Sequence, residues 1–270
     1  MIRGLLDEIV RLPIVDSTND AAKRTLDIAL PEKGLLFITD EQVKGRGRLG
    51  REWKATPGKN VMMSLLRGTN LPSEKISAVT LLAGVAVADS VIELLSADTD
   101  GSDLAHEVSI KWPNDIVINK KKLCGILTEL CVHDGKNYVI AGIGINVNEA
   151  SYPADLEDKA TSLRIETGKE WDREKIIESV ISKLMSFINK YEETGSLEFI
   201  RLHYNDLLIS KDSEVFIVGH SSDGNESGDA EKVISRGIDE TGALLVEDIC
   251  GNMKSIISGE VSIRGLYGYV

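Results

Sequence analysis

The helical spacing of apolar residues that runs through most of this chain stops at Ser210. Beyond that point EVFIV, EKVISRGI, ALLVE and SIISGEVSIR read as short strands separated by Gly, Asp and Asn turns. Before it, helix-like and strand-like stretches alternate. Such a break predicts an α/β (α+β) unit over residues 1–210, followed by a small all-β module over residues 211–270. A module that small is marginal by itself and is expected to pack on its larger neighbour.

Within the first unit, residues 9–15, 35–42 and 60–67 read as strands. Asp16-Ser17-Thr18-Asn19-Asp20 supplies N-cap chemistry for a helix reaching about Leu30, with Ala22, Leu26 and Ala29 on one face. Pro72-Ser73-Glu74 opens a long helix over 74–95, apolar around most of its circumference, as expected of a helix lying on a sheet. Residues 96–106 form a polar excursion. Strands are expected at 108–118, 122–132 and 137–147, and helices from Asp172 and from Ser196 to about Leu208. The most apolar stretch, Ile76–Ala88, is shorter than the ~20 residues that span a bilayer. Cys124, Cys131 and Cys250 form no Cys-x-x-Cys pair, and MIRGLLDEIVRL has no signal-peptide core, which together point to a cytoplasmic protein.

Lys plus Arg number 31 against 43 Asp plus Glu, a formal charge of −12 that opposes general binding to polyanions or anionic membranes. Against that background the segment Lys44–Lys59 carries six cations and one acid, Glu52. Its glycines Gly45, Gly47 and Gly50 permit positive φ and close backbone approach, and Arg46, Arg48 and Arg51 offer planar forks for carboxylate or phosphate. A solvated loop or an Arg/Gly nucleic-acid tail has the same composition; Walker spacing is absent. In Lys111-Trp112-Pro113-Asn114-Asp115, Pro113 must interrupt a strand, leaving Asn114 and Asp115 as oxygen donors, or else forming a plain turn. A hairpin through Lys120-Lys121-Lys122 would bring one ammonium back toward that acid. Gly142 and Gly144 clear one face of a strand ending at Asn146, for a ligand or for helix packing. Capping accounts for one hydroxyl of Asp16-Ser17-Thr18-Asn19, while the same helix start suits a carbonyl or ureido oxygen. The four histidines show no metal spacing.

In family order, Ser17–Asn19, Gln42–Trp53, Lys111–Asp115, Lys122–Leu127, Gly142–Asn146 and, in the tail, Gly237–Val246 and Ser258–Val261 together resemble the biotin protein ligases. The resemblance implies a mixed-sheet catalytic domain of the biotin/lipoate ligase type followed by an SH3-like barrel. It also implies a two-step reaction: biotin and ATP give biotinyl-5′-AMP and pyrophosphate, and a lysine of a biotin carboxyl carrier domain then accepts the biotin. By resemblance, Ser17, Thr18, Asn19, Gln42, Gly45, Arg46, Gly47, Arg48 and Lys122 bind biotin. Arg48, Lys122 and Lys111 stabilise developing charge, and Arg51, Trp53, Asn114, Asp115 and Asn146 serve ATP or the adenylate. Trp53 is assigned to stack on adenine, and Asp115 to hold Mg²⁺. Loop 43–53 is expected to close over the adenylate. An early first strand implies no DNA-binding domain, hence no DNA, and family members often dimerise. Alternatives kept open are a lipoate-type ligase, a nucleic-acid-binding module using the Arg/Gly loop, and a catalytically dead biotin sensor.

Overall fold

The computed structural model describes residues 2–98, 103–220, 226–257 and 261–265. Seven strands form the larger sheet: β1 (Glu8–Val15), β2 (Leu35–Gln42), β3 (Val61–Thr69), β4 (Val108–Lys111), β5 (Asp115–Ile118), β6 (Lys121–His133) and β7 (Lys136–Ile145). Their spatial order is β1-β2-β3-β7-β6-β5-β4. β1 and β2 are parallel and the other neighbours antiparallel, so the sheet is mixed, as expected. The parallel pair requires a crossover, which α1 (Thr18–Thr25) provides.

Side-chain alternation assigns the two faces. Leu35, Phe37, Leu66 and Ile140 pack under Ala21 and Ala22 of α1 and its C-cap residue Leu26. Their chain neighbours Leu36, Ile38, Leu65 and Val139 pack on the opposite side, with α2 (Ala78–Ser96) and α4 (Arg173–Thr194). Because both faces are covered, the strands read as nearly continuous apolar runs. Every residue of α2 from Ala78 to Ala88 is buried. Ser73–Ser96 is in fact long and apolar enough to cross a membrane by composition, contrary to the reading of a short stretch, but 78% of its most apolar window is buried inside the protein. It is the core helix of the domain.

Several boundaries differ from expectation. α1 stops at Thr25, and Ala29 is exposed rather than on a buried face. The Thr25 hydroxyl donates back to the Ala21 carbonyl at 3.1 Å, and Pro31 bars the helix from continuing past Leu30. The run 108–118 is two strands, with Trp112–Asn114 making the turn that Pro113 demanded. A short helix, α3 (Leu163–Thr167), was not anticipated; Ser162 caps it and Gly168 ends it at φ 74°. α4 begins at Asp172, whose carboxylate accepts from the Glu174 amide at 2.9 Å, and α5 spans Glu198–Leu207.

β8 (Glu214–His220), β9 (Glu226–Ile238), β10 (Leu244–Glu247), β11 (Met253–Ile256) and β12 (Val261–Gly265) form a second, antiparallel sheet in the order β11-β10-β9-β8-β12, the small C-terminal sheet expected of an SH3-like domain. SIISGEVSIR, read as one strand, contributes to β11 and β12 on opposite edges; Ser258, Gly259 and Glu260 lie outside the described residues, as do 99–102 of the polar excursion. The second sheet shares the main core through Val215, Ile238, Leu244 and Val246. Asn205 of α5 accepts from the Ile238 amide at 2.7 Å, and the Trp112 indole N–H donates to the Gly242 carbonyl at 3.2 Å.

Candidate functional site

Between β2 and β3 the Gly/Arg-rich segment folds back on itself. The Trp53 amide donates to the Gly45 carbonyl at 2.9 Å and the Gly47 amide to the Arg51 carbonyl at 2.7 Å. Of Gly45, Gly47 and Gly50, Gly50 alone takes a positive φ (70°), beside Leu49 at 55°. Gly45 is required for a different reason: a Cβ there would collide with the Trp53 carbonyl. Both limbs are tethered. The Lys44 amide donates to the Asp16 carbonyl at 2.8 Å, and Glu149 accepts from the Thr56 amide at 2.8 Å and from Asn60 Nδ2 at 2.7 Å.

This loop roofs a narrow slot of about 50 Å³ at the start of α1, over the α1 face of the sheet. The floor is the cross-strand pair Gly125–Gly144. A Cβ on Gly144 would stand 2.6 Å from Trp53 Cε2, and one on Gly125 would stand 3.0 Å from Cζ3, so the indole lies on bare backbone. Gly142 is bare for Asn19, whose amide fills the space a Cβ would need. The alternating glycines thus admit side chains of the protein itself to the sheet surface.

One wall is the start of α1. Ser17 is the N-cap residue, but its side chain makes no capping bond, contrary to the capping reading. Thr18 is directed elsewhere: its amide and hydroxyl donate to Gln42 Oε1 at 2.8 and 3.1 Å. The fully buried Ser64 hydroxyl lies 2.6 Å from both Thr18 Oγ1 and Asn19 Oδ1. Behind this wall stands Glu129 of β6. Its Oε2 accepts from Asn19 Nδ2 and Arg46 Nη2, each at 2.7 Å, and its Oε1 from Lys23 at 2.7 Å. Arg46 also meets Asp20 at 2.9 Å. Burial opposes the charge of Glu129, yet the bonds from Lys23 and Asn19, with the Arg46 charge, hold its carboxyl below the ordinary value. Two cations face two carboxylates, so this end of the slot is close to neutral.

The other end is cationic. The Lys120–Lys122 hairpin returns Lys122 Nζ to Asp115 Oδ1 at 2.7 Å, as its sequence suggested, and places it 5.8 Å from the Trp53 ring centroid. Arg48 Nη1 donates to Asn114 Oδ1 at 3.0 Å, and Asn114 in turn donates to Asp115 and to the Ile126 carbonyl. Burial lowers the pKa of the Arg48 guanidinium; Asp115 acts against that shift and Arg51 adds to it. Here Lys122 pairs with Asp115, and the charges of Asp115 and Arg51 both reach Arg48. The Trp53 indole N–H is buried without a hydrogen-bond partner among the described residues.

The slot brings together Ser17, Thr18, Asn19, Gln42, Arg46, Gly47, Arg48, Trp53, Asn114 and Lys122. Gly45, Lys111, Arg51, Asp115 and Asn146 are not among its lining residues. Lys111 sits opposite Asp115 in the β4–β5 register, and Arg51 lines an adjoining cavity with Arg46 and Arg48. Asn146 donates to the Lys122 carbonyl at 3.3 Å, steadying that residue rather than facing the slot. Trp53, expected to stack on adenine, is a wall of the slot itself. Asp115 Oδ1 is engaged by Lys122 and Asn114, and the described residues contain no cluster of three His, Cys, Asp or Glu that could hold a metal without a ligand's help. Sequence reasoning missed Ser64, Gly125 and Glu129; the one available signal was an acid midway along the apolar strand 122–132.

The Biotin/lipoate A/B protein ligase family matches residues 12–148, and the Biotin protein ligase C terminal domain matches residues 226–264. The chain is 33% identical over 253 residues to the bifunctional ligase/repressor BirA of Bacillus subtilis, covering 93% of this chain and 72% of that protein. It is 29% identical over 229 residues to the biotin–[acetyl-CoA-carboxylase] ligase of Mycobacterium tuberculosis, covering 84% and 78%. A biotin protein ligase from Aquifex aeolicus, solved in complex with biotin and ATP, superposes with a TM-score of 0.74 at 29% identity over 96% of this chain and 99% of that one.

Proposed function

Because this chain belongs to the biotin/lipoate A/B protein ligase family, we propose that its slot binds biotin lengthwise, with the ureido ring at the neutral end and the carboxylate at the cationic end. The observation that carries this orientation is the contrast in charge between the two ends. Hydroxyl and amide groups of Ser17, Thr18, Asn19 and Gln42, with an Arg46 already neutralised, suit a neutral ring that both donates and accepts hydrogen bonds. Arg48 and Lys122 suit an anion.

The chain is a biotin protein ligase, and the chemistry follows from that orientation. A carboxylate oxygen of biotin attacks the α-phosphorus of ATP, the bond to the β-phosphate oxygen breaks, and pyrophosphate leaves. An amine of the acceptor then attacks the acyl carbon, AMP leaves, and the amine loses a proton. Negative charge accumulates at the α-phosphate in the first step, where Arg48 and Lys122 stabilise it without reorganising. Asn114 and Asp115 fix those two cations, Arg51 lies toward the phosphate side, and Trp53 closes the slot against water. Lys111 and Asn146 support Asp115 and Lys122 from outside. Asp115 and Asn114 would supply the protein's oxygen donors to a Mg²⁺ carried in with ATP, which would neutralise its phosphates.

The acceptor is the biotin carboxyl carrier domain of a carboxylase, and the setting is the cytoplasm. Residues 1–210 form the catalytic unit and 211–270 the C-terminal one. The test is incubation with biotin, ATP, Mg²⁺ and a carrier domain, read by intact mass. Acceptor biotinylation is expected, together with ATP–pyrophosphate exchange driven by biotin and not by lipoate. Exchange driven by lipoate alone overturns the reading.

A further inference from the structure

We propose that Glu129 is a positioning residue for the ligand slot: its carboxylate presets Arg46 and Asn19 and cancels the Arg46 charge, so that this end selects a neutral polar ring over an anion. The inference rests on the reading of the slot as a biotin site.

Glu129 stands behind the lining residues, so it acts through them. A single oxygen, Oε2, takes both the Arg46 guanidinium and the Asn19 amide, while Lys23 holds Oε1. With its NH₂ committed to Glu129 and to the Leu127 carbonyl at 3.2 Å, Asn19 must turn Oδ1 toward Ser64. An amide has two orientations of similar shape, and a carboxylate neighbour permits only one. Arg46, gripped by Glu129 and by Asp20 at 2.9 Å, is likewise limited to one geometry. An uncancelled guanidinium here would attract the biotin carboxylate and favour the reversed, unreactive pose; the two acids remove that attraction.

Glu129→Gln keeps the shape and removes the charge. Biotin affinity by calorimetry and the biotin KM of ATP–pyrophosphate exchange are expected to worsen roughly tenfold, with kcat changed less than about threefold. Lys23→Met, which touches the other carboxylate oxygen, is expected to leave KM within about threefold. The double variant Arg46→Ala/Glu129→Gln should lose less biotin affinity than the two single losses combined, because part of the Glu129 effect runs through Arg46. An unchanged KM in Glu129→Gln, a loss confined to kcat, or full additivity overturns the proposal. Where Glu129→Gln melts below the assay temperature, Glu129→Asp decides: it is one methylene too short to hold Arg46 and Asn19 together, so KM must rise severalfold, and an unchanged KM overturns the proposal. A wild-type chain without biotin-driven exchange removes the biotin reading itself, an outcome distinct from any of these.

Discussion

Arg46 and Arg48 are two residues apart on one loop, yet they work in opposite electrostatic surroundings. Arg46 is held between Asp20 and Glu129 at 2.9 and 2.7 Å, in a cluster whose charges balance. Arg48 donates to an amide oxygen, loses solvent, and lies near a second arginine, with Asp115 as the acid whose charge opposes these effects. The difference teaches that an Arg/Gly loop is not a uniform basic surface. On the proposed reading, one guanidinium serves as a rigid hydrogen-bond donor, and the other keeps its charge available for a reaction that develops negative charge.

The sharpest way to break this contrast is Arg48→Ala. Biotin-dependent pyrophosphate exchange should fall by about 10²–10³, with biotin KM moving far less, as for other preorganised charge stabilisers. Equal losses in KM for Arg46→Ala and Arg48→Ala would erase the distinction. Gly144→Val comes next: the added carbons meet the Trp53 ring, so biotin binding should weaken and stability drop by about 1–3 kcal/mol, read by calorimetry and urea unfolding. Ser64→Ala should be milder, at about 1 kcal/mol, raising KM for biotin without touching the cationic end. The smallest effect concerns Asp16. Its bidentate bond to Arg24, helped by the Ser17 amide, lowers its pKa from 3.8 to about 2. A depressed folded-state value gives stability that is present above pH 4 and lost as pH falls toward 2. Solvent screening keeps it small, so Asp16→Asn should differ from wild type in urea melts at pH 6 and match it near pH 2.

The Lys122–Asp115 pair could be anticipated because a proline-forced turn and a lysine hairpin sit a few residues apart, and local geometry alone closes them. The mixed sheet could be read for a similar reason, since alternating apolar periods survive in each element. Glu129 could not be placed, because strand alternation assigns a face and says nothing of which helix covers it. Ser64, inside VMMSLLR, reads as an incidental core hydroxyl until Thr18 and Asn19 arrive from α1. Gly45 and Gly50 look alike in sequence, although one is demanded by a collision and the other by φ. α1 ends at Thr25 although Leu26 keeps the apolar spacing, because that spacing reports a buried face and not where the backbone ladder stops.

The single bond from the Trp112 indole to the Gly242 carbonyl joins positions 130 residues apart. Trp112 begins the same turn that carries Asn114 and Asp115. A C-terminal unit none of whose described residues lines the slot is therefore tied, like a keystone, to the turn that holds the cationic end. Breaking that one bond, as in Trp112→Phe, should loosen Arg48 and Lys122 while the shared core of the two sheets stays packed.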